Sequence, residues 1–206
     1  MSLETPEADG PPAGPARRVL DDPVVLRAFA HPVRLALHRL LVREGGCSAA
    51  YAARELGISQ ALASHHLHQL AKYGFAEQVA GADRREKPWR ALSTSLTWVG
   101  ADSTDEGAVA ADLLEQTLVE QTVSHLLTWQ QLRREPEQKS WQDVVGLDTS
   151  LLYLTSEEVA ELGRQFDELC GPFVARRQDP ALRPEQARPV EVTLLMVPLT
   201  RTSSGA

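Results

Sequence analysis

The chain has 206 residues, a formal net charge of −7, 43% apolar residues and two cysteines. Its length allows one large domain or two small ones, and its apolar content suffices for a buried core. It excludes two classes: no apolar run approaches the roughly 18–20 residues of a membrane span, and Cys47 and Cys170, with no C-x-x-C pair, exclude a disulfide framework, so a reducing, cytoplasmic setting is expected.

The charge is unevenly spread. Residues 1–16 carry −3, residues 17–98 carry +5 and residues 99–206 carry −9. Positive potential is confined to one stretch, where a phosphate backbone would need it. The first residues are acidic and Pro-rich, unlike a signal peptide, and residues 1–18 are predicted to be a disordered arm.

Order is predicted to begin at Asp22-Pro23, a cap followed by proline at the first helical position. Val24, Val25, Ala28 and Phe29 make a short amphipathic helix ending before His31-Pro32. The next helix, from Pro32 to about Arg43, buries Leu35, Leu37, Leu40 and Leu41 and stops at Gly45-Gly46. Arg34 on this helix either touches a phosphate or pairs internally.

Ser48 is placed to cap a helix of small side chains, Ala49, Ala50, Ala52, Ala53 and Leu56, which lets a second helix cross closely. Gly57 tolerates the left-handed backbone that ends a helix, Ile58 plugs the corner, and Ser59 caps the next helix. A two-helix corner with a short Gly-containing turn is a helix-turn-helix signature. On the second helix Ala63, Leu67 and Leu70, with Leu62 and Tyr73 alongside, form the predicted buried stripe. Ala61, Ser64, His65, His68 and Lys72 lie opposite, a face suited to base edges and phosphates in a major groove. Phe75–Val79 and Trp89–Leu92 then read as strands around a turn holding Gly81, Asp83, Arg84, Arg85, Lys87 and Pro88. Arginines at such a tip suit backbone phosphates.

These residues carry a family resemblance. "HPVRLALHRLL", "AARELGISQALASHHLHQLAKYGFAE" and the basic hairpin look like the ArsR-type winged-helix regulators of bacteria, over roughly Asp22 to Trp98. The resemblance implies a dimeric transcription factor that binds double-stranded DNA, often a repressor released by a ligand. By position it implies Ser64, His65 and Gln60 at the groove, and Arg84, Arg85 and Lys87 on the DNA backbone; with the outer face of the helix and its cap, the expected DNA contacts are Ser59, Gln60, Ala61, Ser64, His65, His68, Lys72, Arg84, Arg85 and Lys87. It also implies that His66 anchors the helix against the fold.

After Trp98 a polar linker leads to a long helix, predicted over Glu106–Glu135 and closed by Pro136. Val109, Leu113, Val123 and Leu127 share one side, and Leu114, Leu118, Trp129 and Leu132 lie roughly opposite. A helix apolar on both sides must be covered twice, by its own core and a partner subunit, or by a larger single domain. Val144–Leu154 looks strand-like in parts. Thr155 to Glu158 form a capping box opening a helix with Val159, Leu162, Phe166 and Leu169 in a stripe. Cys170, Gly171 and Pro172 disturb the stripe, Arg176-Arg177 are placed to close the helix, and Val190–Val197 reads as a strand. The predicted fold is therefore mainly α with small β: a winged helix-turn-helix domain over 19–98, then a dimerisation helix and an α+β appendage over 99–206.

Sharper chemistry finds little support. Metal sites in the resembled family use Cys-x-Cys before the recognition helix or Asp/His pairs on the dimer helix. Here only Cys47 stands in the first place and His125, with Asp112 and Glu115, in the second, while His65, His66 and His68 cannot converge. No metal or other cofactor is expected. Both thiols are expected to be inert, and no catalytic motif is present, so no enzyme is expected. The expected function is sequence-specific DNA-binding regulation by a homodimer, with an apolar effector near Trp129 or Trp141. The alternative is a dimeric protein-interaction module without specific DNA binding.

Overall fold

Five of the six helices begin at residues whose side chains satisfy their first free N–H groups. In the computed structural model, which describes residues 18–79, 87–93, 96–98 and 104–199, Asp22 Oδ1 accepts from Val24 N at 2.8 Å to open α1 (Pro23–Phe29). His31 Nδ1 accepts from Val33 N at 3.2 Å and opens α2 (Pro32–Glu44). Ser48 does the same for α3 (Ala49–Leu56), Ser59 for α4 (Gln60–Lys72) and Thr155 for α6 (Ser156–Gln178), the last with the reciprocal bond from Thr155 N to Glu158 of a full capping box. Only α5 (Asp105–Leu132) lacks a side-chain cap, and it places Asp105 and Glu106 in its first turn instead, where the helix dipole favours negative charge.

The N-terminal unit closes around one core. Phe29 stacks on Phe75 with ring centroids 4.2 Å apart, and Leu26, Leu37, Leu41, Leu67 and Leu70 fill the space between α1, α2 and α4. The antiparallel pair β2 (Ala76–Gln78) and β3 (Trp89–Ala91) forms the hairpin, and Cys47 joins its edge through two backbone hydrogen bonds with Trp89, at 2.9 and 2.8 Å. Gly46 permits this: a Cβ there would come within 2.9 Å of the Trp89 carbonyl oxygen. A second pair, β1 (Arg18–Leu20) parallel to β4 (Leu96–Trp98), ties the start of the unit to its end. No local pattern announces this pairing, so β1 begins where the arm was predicted to end; the rest of that arm lies outside the described residues.

The first half of α5 packs against α1. Ala110, Ala111 and Leu114 are buried there, Arg27 pairs with Glu106 at 2.5 Å, and Thr117 Oγ1 donates to the carbonyl of Ala30 at 3.2 Å. Beyond, a short 3₁₀ turn (Pro136–Gln138), α6 and a second 3₁₀ turn (Pro180–Leu182) complete the described elements.

Three expectations are corrected. Val24 is exposed, and Leu26 takes the buried place with Phe29 in α1. Leu62 is 40% exposed rather than part of the buried stripe of α4, where His66 stands instead. Helix α6 runs through Gly171 and Pro172 and ends at Gln178, beside the expected closure at Arg176-Arg177, and its last turns leave Leu169 and Phe173 exposed. Neither Val144–Leu154 nor Val190–Val197 forms a strand: neither is joined to another described segment by a backbone ladder. The appendage is α-helix with irregular flanks, and the chain as a whole is mainly α with a small β component.

Candidate nucleic-acid interface

The corner that presents α4 is set by Gly57. It adopts φ +64°, a left-handed conformation that side chains rarely take, and its N–H and that of Ile58 close the end of α3 onto Arg54 and Ala53 carbonyls. Ile58 packs against the core, and Ala52 and Ala53 of α3 are buried against α4. The small side chains allow the close crossing, and α4 is left with one face in the core and one free.

The free face carries the predicted residues. Gln60, Ala61, His65, His68 and Lys72 are exposed, and Ser64 is half-buried. Ser59 is exposed too, but its hydroxyl is occupied by capping, accepting from Leu62 N at 3.2 Å. His68 meets the edge of Trp89 at 5.0 Å, which braces the helix against the hairpin. The ammonium of Lys72 lies 5.2 Å from the Tyr73 ring centroid. Lys87 is exposed at the base of the hairpin, while Arg84 and Arg85 lie outside the described residues. Arg90, which sequence reading did not single out, is exposed on β3 and tied to Glu77 of β2 at 2.5 Å. The signal for it was only a cation opposite an acid in a hairpin register.

On the other flank of α4 stands a histidine–arginine cluster. His66 is buried and its ring lies 4.6 Å from that of His31, the cap of α2, with His65 5.2 Å away. Burial, then the charges of His31, Arg34 and His65, lower the His66 pKa; burial and Arg34 do the same for His31. Among the described residues Arg34 donates a long 3.5 Å bond to the Arg27 carbonyl, and its Nε is buried without a hydrogen-bond partner there. It lines an open cleft of about 330 Å³ with Val24, Arg27, Ala28, Gln69 and Tyr73. Of its two predicted roles, an internal ion pair is not among the described contacts. The pairing of His31 with His66 was invisible in sequence because the two lie on different helices.

The remaining candidates are placed as follows. Trp129 is half-buried on α5 and Trp141 is half-buried beneath the guanidinium of Arg188, 5.5 Å from its ring centroid; neither lines the Arg34 cleft. His125 bonds Glu191 at 2.6 Å, and among the described residues no group of three or more His, Cys, Asp or Glu side chains is disposed to hold a metal ion. Burial, with Glu44 adding to it, pushes the Cys47 thiol up to about 11, so its reactive thiolate is scarce at neutral pH. Among the described residues no helix is long and apolar enough to cross a membrane.

Residues 29–79 match the family model of a helix-turn-helix domain, about a quarter of the chain. No curated protein matches. Among solved structures, an apo-form mutant of ZitR from Lactococcus lactis is similar over 70% of this chain and 86% of that chain, with 20% identity and a TM-score of 0.28.

Proposed function

We propose that the chain, whose residues 29–79 form a helix-turn-helix domain, is a sequence-specific DNA-binding transcription regulator of the ArsR type that acts in the cytoplasm as a homodimer. The observation that carries this reading is the free face of α4. Gln60, Ala61, Ser64 and His65 stand clear of the core on the N-terminal half of a helix whose opposite face is fully buried. Small and hydrogen-bonding side chains in that place fit a major groove. Lys87, Arg84 and Arg85 follow on the hairpin as phosphate contacts, and the +5 charge of residues 17–98 supplies the attraction that an overall acidic chain lacks.

The dimer rests on α5. Leu114 and Thr117 face α1, whereas Val109, Leu113, Val123 and Leu127 are exposed on the other side. Joining two copies along this stripe gives two α4 helices for successive major grooves about one helical turn apart. Bound there, the protein would repress by occlusion, and an apolar effector near Trp129 or Trp141 would release it by changing the spacing.

The test is fluorescence anisotropy on DNA upstream of the protein's own gene against a scrambled duplex, at two salt concentrations. Tight binding to the first alone, with a steep salt slope and a loss of about 10-fold or more for Ser64→Ala or His65→Ala, is expected. Equal weak binding to every duplex drawn from a genome-wide selection would overturn the reading.

A further inference from the structure

We propose that a second copy of this chain completes a β-sheet with the segments 150–154 and 190–199, so that the C-terminal half of the protein obtains its core only in the dimer. This rests on the homodimer reading above and extends it beyond the α5 stripe.

Three observations converge. From Leu118 to Leu199 no described residue is buried, and from Val109 onward 23 large apolar side chains are exposed. A stable interface takes about 20–30 residues from each partner, so the exposed set is the size of one interface. Tyr153 is 97% exposed and Leu151 72%, in a stretch of five residues, Ser150 to Leu154, with no charge.

The second observation is the backbone. Val190, Val192, Thr193 and Val197 are β-branched residues suited to a pleated strand, yet no backbone hydrogen bond joins 150–154 or 190–199 to another described segment. The tail is nevertheless held in place. Glu191 accepts from Thr122 at 3.0 Å, bonds His125 at 2.6 Å and pairs with Arg39 of α2 at 2.6 Å. Farther along, the Met196 methyl reaches α6 beside Gly163. Leu194 and Met196 are the least exposed apolar residues of the tail, while Val190, Val192, Leu195, Val197 and Leu199 have exposures of half or more. The tail is thus an extended segment anchored at a few side chains with its backbone edges unpaired, the arrangement in which an added strand supplies the missing hydrogen bonds.

The third observation favours a second copy over a foreign strand. Segment 150–154 is uncharged, and the only charge in 190–199, Glu191, is already paired, so the −9 of this half sets no like charges at the contact. Helix α6 has Glu157 and Glu158 in its first turn and Arg176 and Arg177 in its last. A two-fold axis that runs two copies antiparallel brings each acidic end to the other's basic end, the self-complementarity an isologous interface requires.

Hydrogen exchange on the full-length protein, at concentrations on both sides of its dissociation constant measured by sedimentation, tests this. Amides of both segments should exchange roughly 100-fold or more slowly in the dimer and freely in the monomer. Leu195→Glu and Leu151→Glu should each raise the dissociation constant by about 10-fold or more with the melting of the N-terminal unit unchanged, and Leu195→Ile should restore it. A dimer whose segments exchange as freely as in the monomer overturns the proposal and leaves the α5 dimer standing. Protection independent of concentration assigns the strand partner to the same chain and also overturns it. A monomer at every concentration overturns this proposal and the homodimer together.

Discussion

Residues 20–117 contain every buried side chain among the described residues, and residues 118–199 contain none. Both regions are helical, and α6, with its capping box, is as well terminated as anything in the N-terminal unit. What separates them is cover. In the first, α1, α2, α4 and the hairpin face one another across Phe29 and Phe75. In the second, Leu162, Leu169 and Phe173 of α6 meet no apolar neighbour that buries them. Capping and propensity define where a helix starts and stops, but helical stability comes mostly from burying one face. The lower half therefore has the local signals of a fold without the burial that sustains one.

The largest effect should separate the two halves outright. Phe75→Ala removes a fully buried ring stacked on Phe29, and should cost about 3–5 kcal/mol of unfolding free energy. Leu127→Ala, at a site 52% exposed, should cost less than about 0.5 kcal/mol at concentrations where the chain is monomeric. Urea unfolding followed by circular dichroism measures both. Equal costs would mean that α5 is covered within its own chain, and the contrast between the halves would collapse.

A smaller effect concerns the point where the halves are fastened. Burial raises the Glu191 pKa, but the His125 hydrogen bond, the Arg39 charge and the Thr122 bond outweigh it and hold the carboxyl below its ordinary value. A carboxyl depressed in the fold stabilises fully above its unfolded pKa of about 4.3, and the benefit is lost as pH falls through the lower folded value. Glu191→Gln should loosen the tail by on the order of 1 kcal/mol, the scale of a net hydrogen bond, read as faster protease cleavage within 184–199. The melting of the N-terminal unit should hardly move. If it fell by as much as the tail's stability, the tail would be part of that unit's core rather than a strap across it.

The same division governs how much was legible in advance. Ser48, Gly57, Ser59 and the Thr155–Glu158 pair act on their own neighbours in sequence, so the helix boundaries they set could be read directly. The two apolar sides of α5 were legible from spacing alone, but of the side chains that α1 covers spacing named Leu114 and not Ala110, Ala111 or Thr117. Partners distant in sequence were not. Arg18–Leu20 pairs with Leu96–Trp98, and Glu191 gathers Arg39 and His125, through the folded topology rather than through any local pattern. Val190–Val197 has the composition of a strand, but composition does not supply the neighbour that a ladder requires. Leu62 fits the apolar rule and yet is 40% exposed, while its neighbour Ala63 is fully buried: the core face of α4 falls one position on.

The smallest effect sharpens the comparison by pH. His31 and His66 both have lowered pKa values in the fold, from burial and the surrounding positive charge. A histidine depressed in this way is neutral in both states well above pH 6.5, where its contribution is complete. As pH falls through about 6.5 the unfolded chain takes up protons first, and stability declines until the folded values are passed. The geometry agrees with a neutral ring at His31, since its Nδ1 accepts from Val33 N and an imidazolium has no acceptor. Melting of the N-terminal unit should therefore fall between pH 7.5 and pH 5.5, in a window where the Glu191 strap is still intact. His31→Asn keeps a capping side chain and removes one titrating group; with His66→Gln it should flatten the slope. A slope unchanged in the double variant would place the proton uptake elsewhere, and the two halves would no longer be distinguished by their acid windows.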